Sequence, residues 1–580
     1  MSLTNWFIVF LIIQVIHFLG TWKLYIKAGR KAWEAAVPVY NAVVLMKIIN
    51  RPKEWYWVIL LFVPIVNVLM FPIVWVETCR SFRKNTYTDT ALAVLTGGFY
   101  IYYLNYFVDV RYKENRSLKP ISSSGEWTSS ILFAVIAATL VHTYFMQPFV
   151  IPTSSLEKTL LKGDFLFVSK FHYGARLPMT AVAAPMVHDT LPIVKTKSYI
   201  ADDLNKDGWR NKLQFPYMRI PGFQNIKRND IVVFNWPADS SYNMGVNNPD
   251  RKYLKPIDKK TNYVKRCVGL PGDHLEVRDG YVFINGKQNE LPERAKPQFY
   301  YIVTSKKFLS DKYLAEDIGT TEYNIFYKLS KEKNQRYQFS NALPFPGDPN
   351  SILVELPSVY ASQVRQNPDF QATDRYAINL SNEEAEKLKK NPAIKSIERR
   401  ILPKGTRGNQ IFPKNPNFKW NGDNYGPIQI PKEGESIDIN IENLPLYKKA
   451  ITDYEGNTLQ TKGSDIYING EKATSYTFKQ NYYWMMGDNR QNSLDARSFG
   501  FTPFNHVVGK PVFVWMSISG VEKGFGNIAN WKFNWDRIFT TVNGSGKPKS
   551  YFSYFIIALV LWQGFRFYRK KKKKNKEEEL

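Results

Sequence analysis

The chain has only two cysteines among its 580 residues. Cys79 borders an apolar run and Cys267 lies in a strand pattern, so no disulfide between them is expected. The sequence also predicts no metal site and no cofactor. No small-residue cleavage site follows the apolar run at residues 6–19, so the N-terminus lacks the pattern of a cleavable signal sequence.

Histidine is scarce as well, with six in the whole chain. His17 and His142 belong to apolar runs. The other four lack a Gly-x-Ser-x-Gly elbow or a comparable triad context. They are His172, His188, His274 and His506. A histidine-based serine triad is therefore not indicated.

Acidic residues are outnumbered, with 51 Asp and Glu against 78 Lys and Arg and a formal net charge of +27. Such a surplus can indicate nucleic-acid binding. No nucleic-acid motif is present, however, and the basic residues cluster beside apolar runs and at the C-terminus. Anionic lipid headgroups are the simpler partner for that arrangement. We expect a lipid bilayer and no nucleic acid.

Long apolar runs are abundant at both ends of the chain. We expect a multi-span membrane region at 1–110, a cytoplasmic linker at 111–127 and a transmembrane helix at 128–146. A second apolar run, 551–568, leads into a basic tail at 569–580. Lys and Arg residues cluster in the linker before the first run and in the tail after the second, which places linker and tail in the cytoplasm and residues between about 147 and 548 outside.

The membrane region 1–110 holds several apolar runs of unequal quality. Residues 6–19 and 91–107 are expected to span the membrane, 55–76 is expected to be a membrane element, and 35–49 is ambiguous. A shared Val-Pro-hydrophobic-hydrophobic-Asn pattern favours kinked or re-entrant turns, because proline removes a backbone donor. Two interpretations of the region stay open: it is only an anchor, or it has a partner-binding or regulatory role.

The middle of the chain is dominated by strand patterns. Residues 164–170, 230–237, 277–286 and 512–516 are short, β-branched and aromatic, and turn residues bound them. Asp279-Gly280 and Asn285-Gly286 are hairpin turn pairs. Because no long amphipathic helix interrupts these runs, a mainly antiparallel β body is expected. Ser381 and Glu384 fit a capping box for one short charged helix.

Three segments of this body resemble type I signal peptidases, in that family's order. The first is the serine turn Pro152-Thr-Ser-Ser155, which follows the apolar run 128–145. The second begins at Tyr263-Val-Lys265. The third contains Gly487-Asp-Asn-Arg490 and continues to Arg497, and it is highly specific. The resemblance implies a membrane-bound serine protease that removes signal peptides from exported preproteins with a Ser–Lys dyad.

The resemblance also implies the roles of individual residues. Ser155 matches the nucleophile, Lys265 the general base, Thr153 an oxyanion-hole hydroxyl, and Ser493 the serine that orients the lysine. Asp495 and Arg497 match a supporting ion pair. Four residues match the walls of the substrate pockets, namely Phe149, Ile151, Leu156 and Val264. Asp488 and Arg490 are expected to be largely structural.

The chain departs from the commoner family pattern in the serine turn. Ser154 replaces a glycine, Leu156 a methionine and Lys158 a proline. Two adjacent serines leave a choice of nucleophile, and the Pro-x-x-Ser spacing from Pro152 selects Ser155. A lysine can act as base where apolar burial keeps it neutral.

Long separations between the motifs define the predicted architecture. We expect a signal-peptidase-like β body made of a first catalytic part at 147–275, an inserted cap subdomain at 276–481 and a second catalytic part at 482–547. It would face outward from a bacterial cytoplasmic membrane. Two alternative functions remain. One is a Ser–Lys protease with a different biological role, such as a self-cleaving repressor, and the other is an inactive scaffold that binds exported chains.

Overall fold

The computed structural model describes residues 2–120, 122–180, 182–242, 252–339, 342–521 and 528–578, with side chains described up to residue 571. Helices dominate up to residue 145 and strands dominate the body. The N-terminal helices are α1 Leu3–Lys27, α2 Tyr40–Ile48, α3 Glu54–Phe62, α4 Val66–Ser81, α5 Tyr87–Leu95, α6 Tyr100–Tyr106 and α7 Ser123–Leu140.

Two of these helical segments are long and apolar enough to cross a membrane. They are Leu3–Lys27 and Ser123–Phe145, the second of which is α7 continued by a π-helical turn. The predicted span at 91–107 is instead the two short helices α5 and α6. Gly97 and Gly98 lie between them with φ of 62° and 88°, a left-handed conformation that ends a helix.

The predicted membrane element at 55–76 is also divided. Helix α3 ends before Val63, and α4 begins after Ile65, whose φ is 68°. Pro64 lies in this turn, and a nine-residue helix such as α3 is only about 14 Å long. The turn lies at one end of the helical region, where the hydroxyl of Tyr144 donates to the carbonyl of Pro64 (3.0 Å).

The body contains seven further helices and 24 strands in its described residues. The helices are α8 Trp209–Lys212, α9 Lys331–Tyr337, α10 Ala361–Arg365, α11 Asn382–Lys389, α12 Leu444–Lys449, α13 Ala496–Phe499 and α14 Phe552–Glu578. The strands are β1 Met146–Val150, β2 Asp164–Ser169, β3 Ile231–Asn235, β4 Asn262–Gly269, β5 His274–Arg278, β6 Tyr281–Ile284, β7 Lys287–Gln288, β8 Gln298–Ser305, β9 Tyr323–Ser330, β10 Leu343–Phe345, β11 Asp348–Pro357, β12 Gln371–Ser381, β13 Ile394–Arg399, β14 Tyr425–Gln429, β15 Ser436–Asp438, β16 Leu459–Lys462, β17 Asp465–Ile468, β18 Glu471–Lys472, β19 Ser475–Thr477, β20 Tyr482–Met486, β21 Thr502–Pro503, β22 Val507–Ser519, β23 Lys532–Phe533 and β24 Thr540–Thr541.

A nine-stranded antiparallel sheet carries all three sequence motifs. Its main path is β1-β2-β22-β3-β4-β20-β21, and β23 and β24 pair with the long strand β22. Thus strands from the first 125 residues of the body and from its last 70 lie side by side, although about 200 residues separate them. The antiparallel β fold expected from the sequence is confirmed.

The region 276–481 contributes to more than one sheet. Strands β8 to β13 form a six-stranded sheet with its own apolar core, in which Ile378 and Leu380 are fully buried. By contrast, β14 pairs with β5, and residues of β14, β15, β17 and β19 share a core with the nine-stranded sheet. The second sheet is therefore formed by residues 298–399.

The predicted local signals are present. Asp279-Gly280 joins β5 to β6 with both residues at positive φ, as a type I′ turn requires. Asn285-Gly286 joins β6 to β7 in the same way. Ser381 and Glu384 form the capping box at the start of α11.

Candidate active site

Ser155 and Lys265 meet inside the nine-stranded sheet. Lys265 lies in the middle of β4, opposite Val232 of β3. Ser155 lies in the turn that follows β1. The Lys265 Nζ and Ser155 Oγ atoms are 2.7 Å apart, and the two residues are only 4% and 6% exposed. The predicted nucleophile and base are thus in direct hydrogen-bond contact, which is the geometry that proton transfer needs.

Burial lowers the pKa of Lys265 to about 8, against the opposing influence of the Asp495 and Asp488 carboxylates. The buried site disfavours the ammonium form because it removes water from the charge. Its Nζ has one further partner, the carbonyl of Val264 at 3.1 Å. A lysine in this state holds a substantial neutral fraction near neutral pH, which a general base requires.

Apolar side chains enclose the dyad. Ile151 and Leu156 are buried, and Phe149 and Val264 pack against the same cluster while remaining partly exposed. All four residues predicted to line substrate pockets therefore belong to one cluster beside Ser155. The partly exposed pair leaves an apolar surface next to the nucleophile.

The two adjacent serines have different partners. The Ser154 Oγ accepts a hydrogen bond from Asn492 Nδ2 (3.0 Å), and its hydroxyl is also bonded to Glu322. Only the hydroxyl of Ser155 contacts Lys265. The geometry therefore agrees with Ser155 as the nucleophile, the residue that the Pro-x-x-Ser spacing indicates.

The remaining predicted site residues lie around this pair. Thr153 is exposed in the turn, with its side chain open to solvent. The Ser493 hydroxyl is buried, and it makes no hydrogen bond within the described part of the chain, including to Lys265. Asp495 and Arg497 form a buried ion pair through two hydrogen bonds of 2.9 and 2.8 Å.

Gly487 allows the third motif to approach the serine turn. A Cβ atom at this position would lie 2.2 Å from Ser493 Oγ and 2.6 Å from the carbonyl oxygen of Ser155. Any side chain would therefore push the motif away from the nucleophile. The backbone N–H of Gly487 donates to Asp495 (3.0 Å), so the ion pair also holds the motif's backbone.

Asp488 links β4 to the third motif. Arg266, which follows the candidate base, makes a bidentate pair with Asp488 at 2.8 and 2.6 Å. Burial would raise the pKa of Asp488, but Arg266 and the Thr159 hydroxyl lower it overall. Because strand alternation turns Arg266 away from Lys265, one strand supplies both the base and its structural support. Arg490 donates to the carbonyl of Gly280 (3.0 Å), which agrees with a structural role.

Sequence reasoning missed a carboxylate from the second sheet. Glu322, just before β9, accepts hydrogen bonds from Asn489 (2.9 Å), Asn492 (3.1 Å) and Asn379 (3.1 Å). Asn489 in turn donates its backbone N–H to the Ser155 carbonyl (3.1 Å). The two asparagines at 489 and 492 stand within the quoted third motif, whereas nothing in the sequence around Glu322 signals its position.

Lys158 makes a further connection to the second sheet. Its φ is 70°, which a proline cannot adopt, so the departure from the family's proline accompanies a different turn. Its Nζ forms an ion pair with Glu384 of α11 (2.7 Å). Nearby, burial and the Glu322 charge raise the pKa of Glu157 to about 7.

Comparison with known proteins agrees with this geometry. The family described as "Signal peptidase, peptidase S26" matches residues 124–335 and 427–516, slightly more than half of the chain. This chain belongs to the signal peptidase family. Residues 33–115 match a separate family of unknown function. The signal peptidase match therefore includes all three motifs and excludes the helices before α7.

Several relatives of this signal peptidase family member carry the name Signal peptidase I. The protein from Buchnera aphidicola subsp. Baizongia pistaciae is 22% identical over 66% of this chain and 74% of its own length. That from Buchnera aphidicola subsp. Schizaphis graminum is 24% identical over 68% and 75%. The match to the Rickettsia canadensis protein is 26% identical over 36% of this chain and 58% of that protein.

Proposed function

We propose that this protein is a membrane-bound signal peptidase I that cuts signal peptides from exported preproteins with a Ser155–Lys265 dyad. The contact of 2.7 Å between the two buried side chains carries the proposal. An inactive scaffold would have no need to keep a lysine buried against a serine, since burial of that amine costs stability. Membership of the signal peptidase family supports the substrate class.

The first chemical step would use neutral Lys265. Its Nζ takes the Ser155 proton while Oγ forms a bond to the scissile carbonyl carbon. The resulting oxyanion is held by the Ser155 backbone N–H and the Thr153 hydroxyl. Thr153 reaches that position by rotation of its exposed side chain, which substrate would bring into order.

Acyl transfer and hydrolysis complete the cycle. The protonated Lys265 gives its proton to the leaving amine as the peptide bond breaks. The signal peptide then stays bound to Ser155 Oγ as an ester. Water then attacks the ester carbonyl and gives a proton to Lys265, which passes it to Ser155 Oγ as the acyl–oxygen bond breaks and the signal peptide leaves with a free carboxyl group. Ser493, buried with a free hydroxyl within the described chain, is positioned close to this turn and would orient the lysine during these transfers.

The substrate pockets would be shallow and apolar. Phe149, Ile151, Leu156 and Val264 pack in one apolar cluster and would form the pocket walls, so small side chains are expected at the first and third positions before the cut. A large side chain would be excluded sterically, whereas a single surplus methylene would cost only about 1–3 kcal/mol.

A matched pair of precursors tests this function. Purified full-length protein in detergent should cleave a precursor with Ala-x-Ala before the site and yield one new N-terminus. The same precursor with Phe immediately before the cut should remain intact, and Ser155→Ala should cleave neither. Efficient cleavage of the Phe precursor, or turnover by Ser155→Ala, would refute the proposal.

A further inference from the structure

A basic cavity lies apart from the dyad, where the body meets the membrane helices. Its volume is about 130 Å³, enough for roughly four water molecules or one phosphate group. Lys170, Arg176 and Lys259 line it, together with His142 and the carboxylate of Asp258. Counted from these three cations and one carboxylate, the lining has a formal net charge of about +2.

The three cations lack a counter-ion. None of them lies within 4.0 Å of a carboxylate oxygen in the described part of the chain. Lys259 is only 5% exposed, and its Nζ reaches just the carbonyl of Val187 at 3.4 Å. The Asp258 Oδ2 accepts from the backbone and hydroxyl of Thr180 (3.2 and 3.0 Å), and its Oδ1 is buried with no hydrogen-bond partner in the described residues.

Burial, with a smaller contribution from the neighbouring Arg176, lowers the pKa of Lys170 to about 7. A buried amine among other cations is costly unless an anion offsets the charge. The His142 ring also makes no hydrogen bond within the described residues. Arg176 donates to the carbonyl of Asn505 (2.9 Å) and to Asn235 Oδ1 (2.7 Å), so all three cations bond only to uncharged oxygens and none has a direct anionic partner in the described residues.

The place of the cavity in the fold indicates what could supply that anion. Lys170 Nζ donates to the carbonyl of Thr143 (3.0 Å), at the end of the spanning segment Ser123–Phe145. Ile65, from the turn between α3 and α4, forms another part of the wall. The cavity therefore lies at the level where a bilayer's phosphates would lie beside a spanning helix.

We propose that this cavity binds a phosphate group, supplied by the headgroup of an anionic phospholipid of the outer leaflet. Lys170, Arg176 and Lys259 would neutralise the phosphate, and Ile65 and Met186 would contact the glycerol and upper acyl carbons. The site rests on the outward orientation proposed above but not on the chemistry of the dyad.

Occupancy would bear on the active site through two strands. Gln147 of β1 and Asn262 of β4 line the cavity. The same strands continue to Phe149, beside the nucleophile, and to Lys265. A bound headgroup would therefore fix the distance of both strands from the membrane surface. That distance determines whether the substrate's cleavage site can reach the dyad.

Equilibrium binding tests the proposal with the full-length Ser155→Ala protein in uncharged detergent. Short-chain phosphatidylglycerol should bind saturably, and Lys170→Gln combined with Lys259→Gln should weaken binding at least about tenfold. Lys260→Gln is the matched control, because Lys260 is a partly buried neighbour that donates to Pro237 instead (2.9 Å) and does not line the cavity.

Separate arms identify the source of the phosphate. Bound short-chain phosphatidylglycerol should be displaced by further phosphatidylglycerol but not by inorganic phosphate or phosphatidylcholine. This result would support the lipid headgroup as the source. Saturable binding of inorganic phosphate alone, lost in the same double variant, would contradict the lipid source. Equal binding by the double variant and the Lys260→Gln control would overturn the site. Because binding is measured on an inactive protein, none of these results depends on cleavage.

Discussion

Lys265 is a basic amine in largely dehydrated surroundings. The amine favours the charged form, whereas the lack of water favours the neutral form. The surrounding apolar cluster disfavours its charge more strongly than Asp495 and Asp488 favour it. The same cluster brings Leu156 and Ile151 against the serine turn. The surroundings that lower the pKa of Lys265 therefore also pack beside Ser155, so a change in this cluster would affect both.

The rate of cleavage should depend on pH through Lys265. The amine must be neutral to accept a proton, and its pKa is about 8. We expect kcat/KM to fall about tenfold per pH unit below that value and to level off above it. Initial rates on the Ala-x-Ala precursor between pH 6 and pH 10 would measure this. A profile with no change across pH 8 would contradict a lysine base.

At the scale of single residues, the sequence predicted contacts only for residues that lie in a recognisable motif. Ser155, Lys265, Asp495 and Arg497 stand in three short motifs, and the contacts between them follow the predicted pairs. Ser493 differs, since it makes no bond to the lysine in the described structure. Its position near the turn was predictable, but the rotation of a hydroxyl depends on neighbours that the sequence does not identify.

Among the elements, residues beside the second sheet contact the serine turn and the third motif. Glu322 holds the side chains of two asparagines of the third motif, and Lys158 reaches across to Glu384. The contact between Glu322 and Asn489 joins residues 167 positions apart. No local pattern encodes such a contact, because neither periodicity nor turn chemistry at residue 322 depends on residue 489.

Loss of Glu322 should slow catalysis through the position of the serine turn. Glu322→Ala removes the shared acceptor of three amide groups, and each unpaired group costs about 1–3 kcal/mol. We expect kcat to fall by about tenfold or more with little change in KM or in the pH profile. Glu322→Gln should recover part of the rate, since its amide oxygen still accepts two bonds.

The control for this prediction is Glu383→Ala, which removes an acidic side chain from α11 at the surface. Glu383 contacts Lys296 and its side chain is 75% exposed, so its loss should leave the rate unchanged. Circular dichroism and thermal unfolding would show that both variants fold. If Glu322→Ala and Glu383→Ala cleave at the same rate, Glu322 has no role in positioning.

In the whole molecule, opposite ends of the helical region carry different chemistry. At one end Trp6 packs on Phe215 of the body, with ring centres 4.3 Å apart. At the other, Glu77 is surrounded by three arginines, namely Arg51, Arg80 and Arg116. This asymmetry follows the charge pattern that predicted the orientation, with the arginines on the side expected to be cytoplasmic.

The proposed orientation can be tested with reporter fusions. A fusion after Lys170 should give the signature of the outer face, and a fusion after Lys574 should give a cytoplasmic one. The second is the more demanding test, because α14 is not among the two helices that are apolar and long enough to span. A cytoplasmic signature after Lys170 would be incompatible with export of the body.

The large-scale organisation was predictable in part. Antiparallel β structure followed from short strand patterns with turn pairs, and the structure has it. The pairing of β14 with β5 in a separate four-stranded sheet and the division of 91–107 into two helices were not foreseen, since both depend on packing between distant elements. The inserted sheet had no motif from which its contact with the site could be inferred.

The dyad itself is tested most directly by covalent labelling of the full-length protein. A serine-reactive acylating probe should modify Ser155 and leave Ser154 unmodified, as peptide mass spectrometry would show. Lys265→Arg should fold but lose the label, because a guanidinium cannot take up the serine proton at usable pH. Label on Ser154, or labelling of folded Lys265→Arg at the wild-type rate, would contradict the Ser155–Lys265 mechanism.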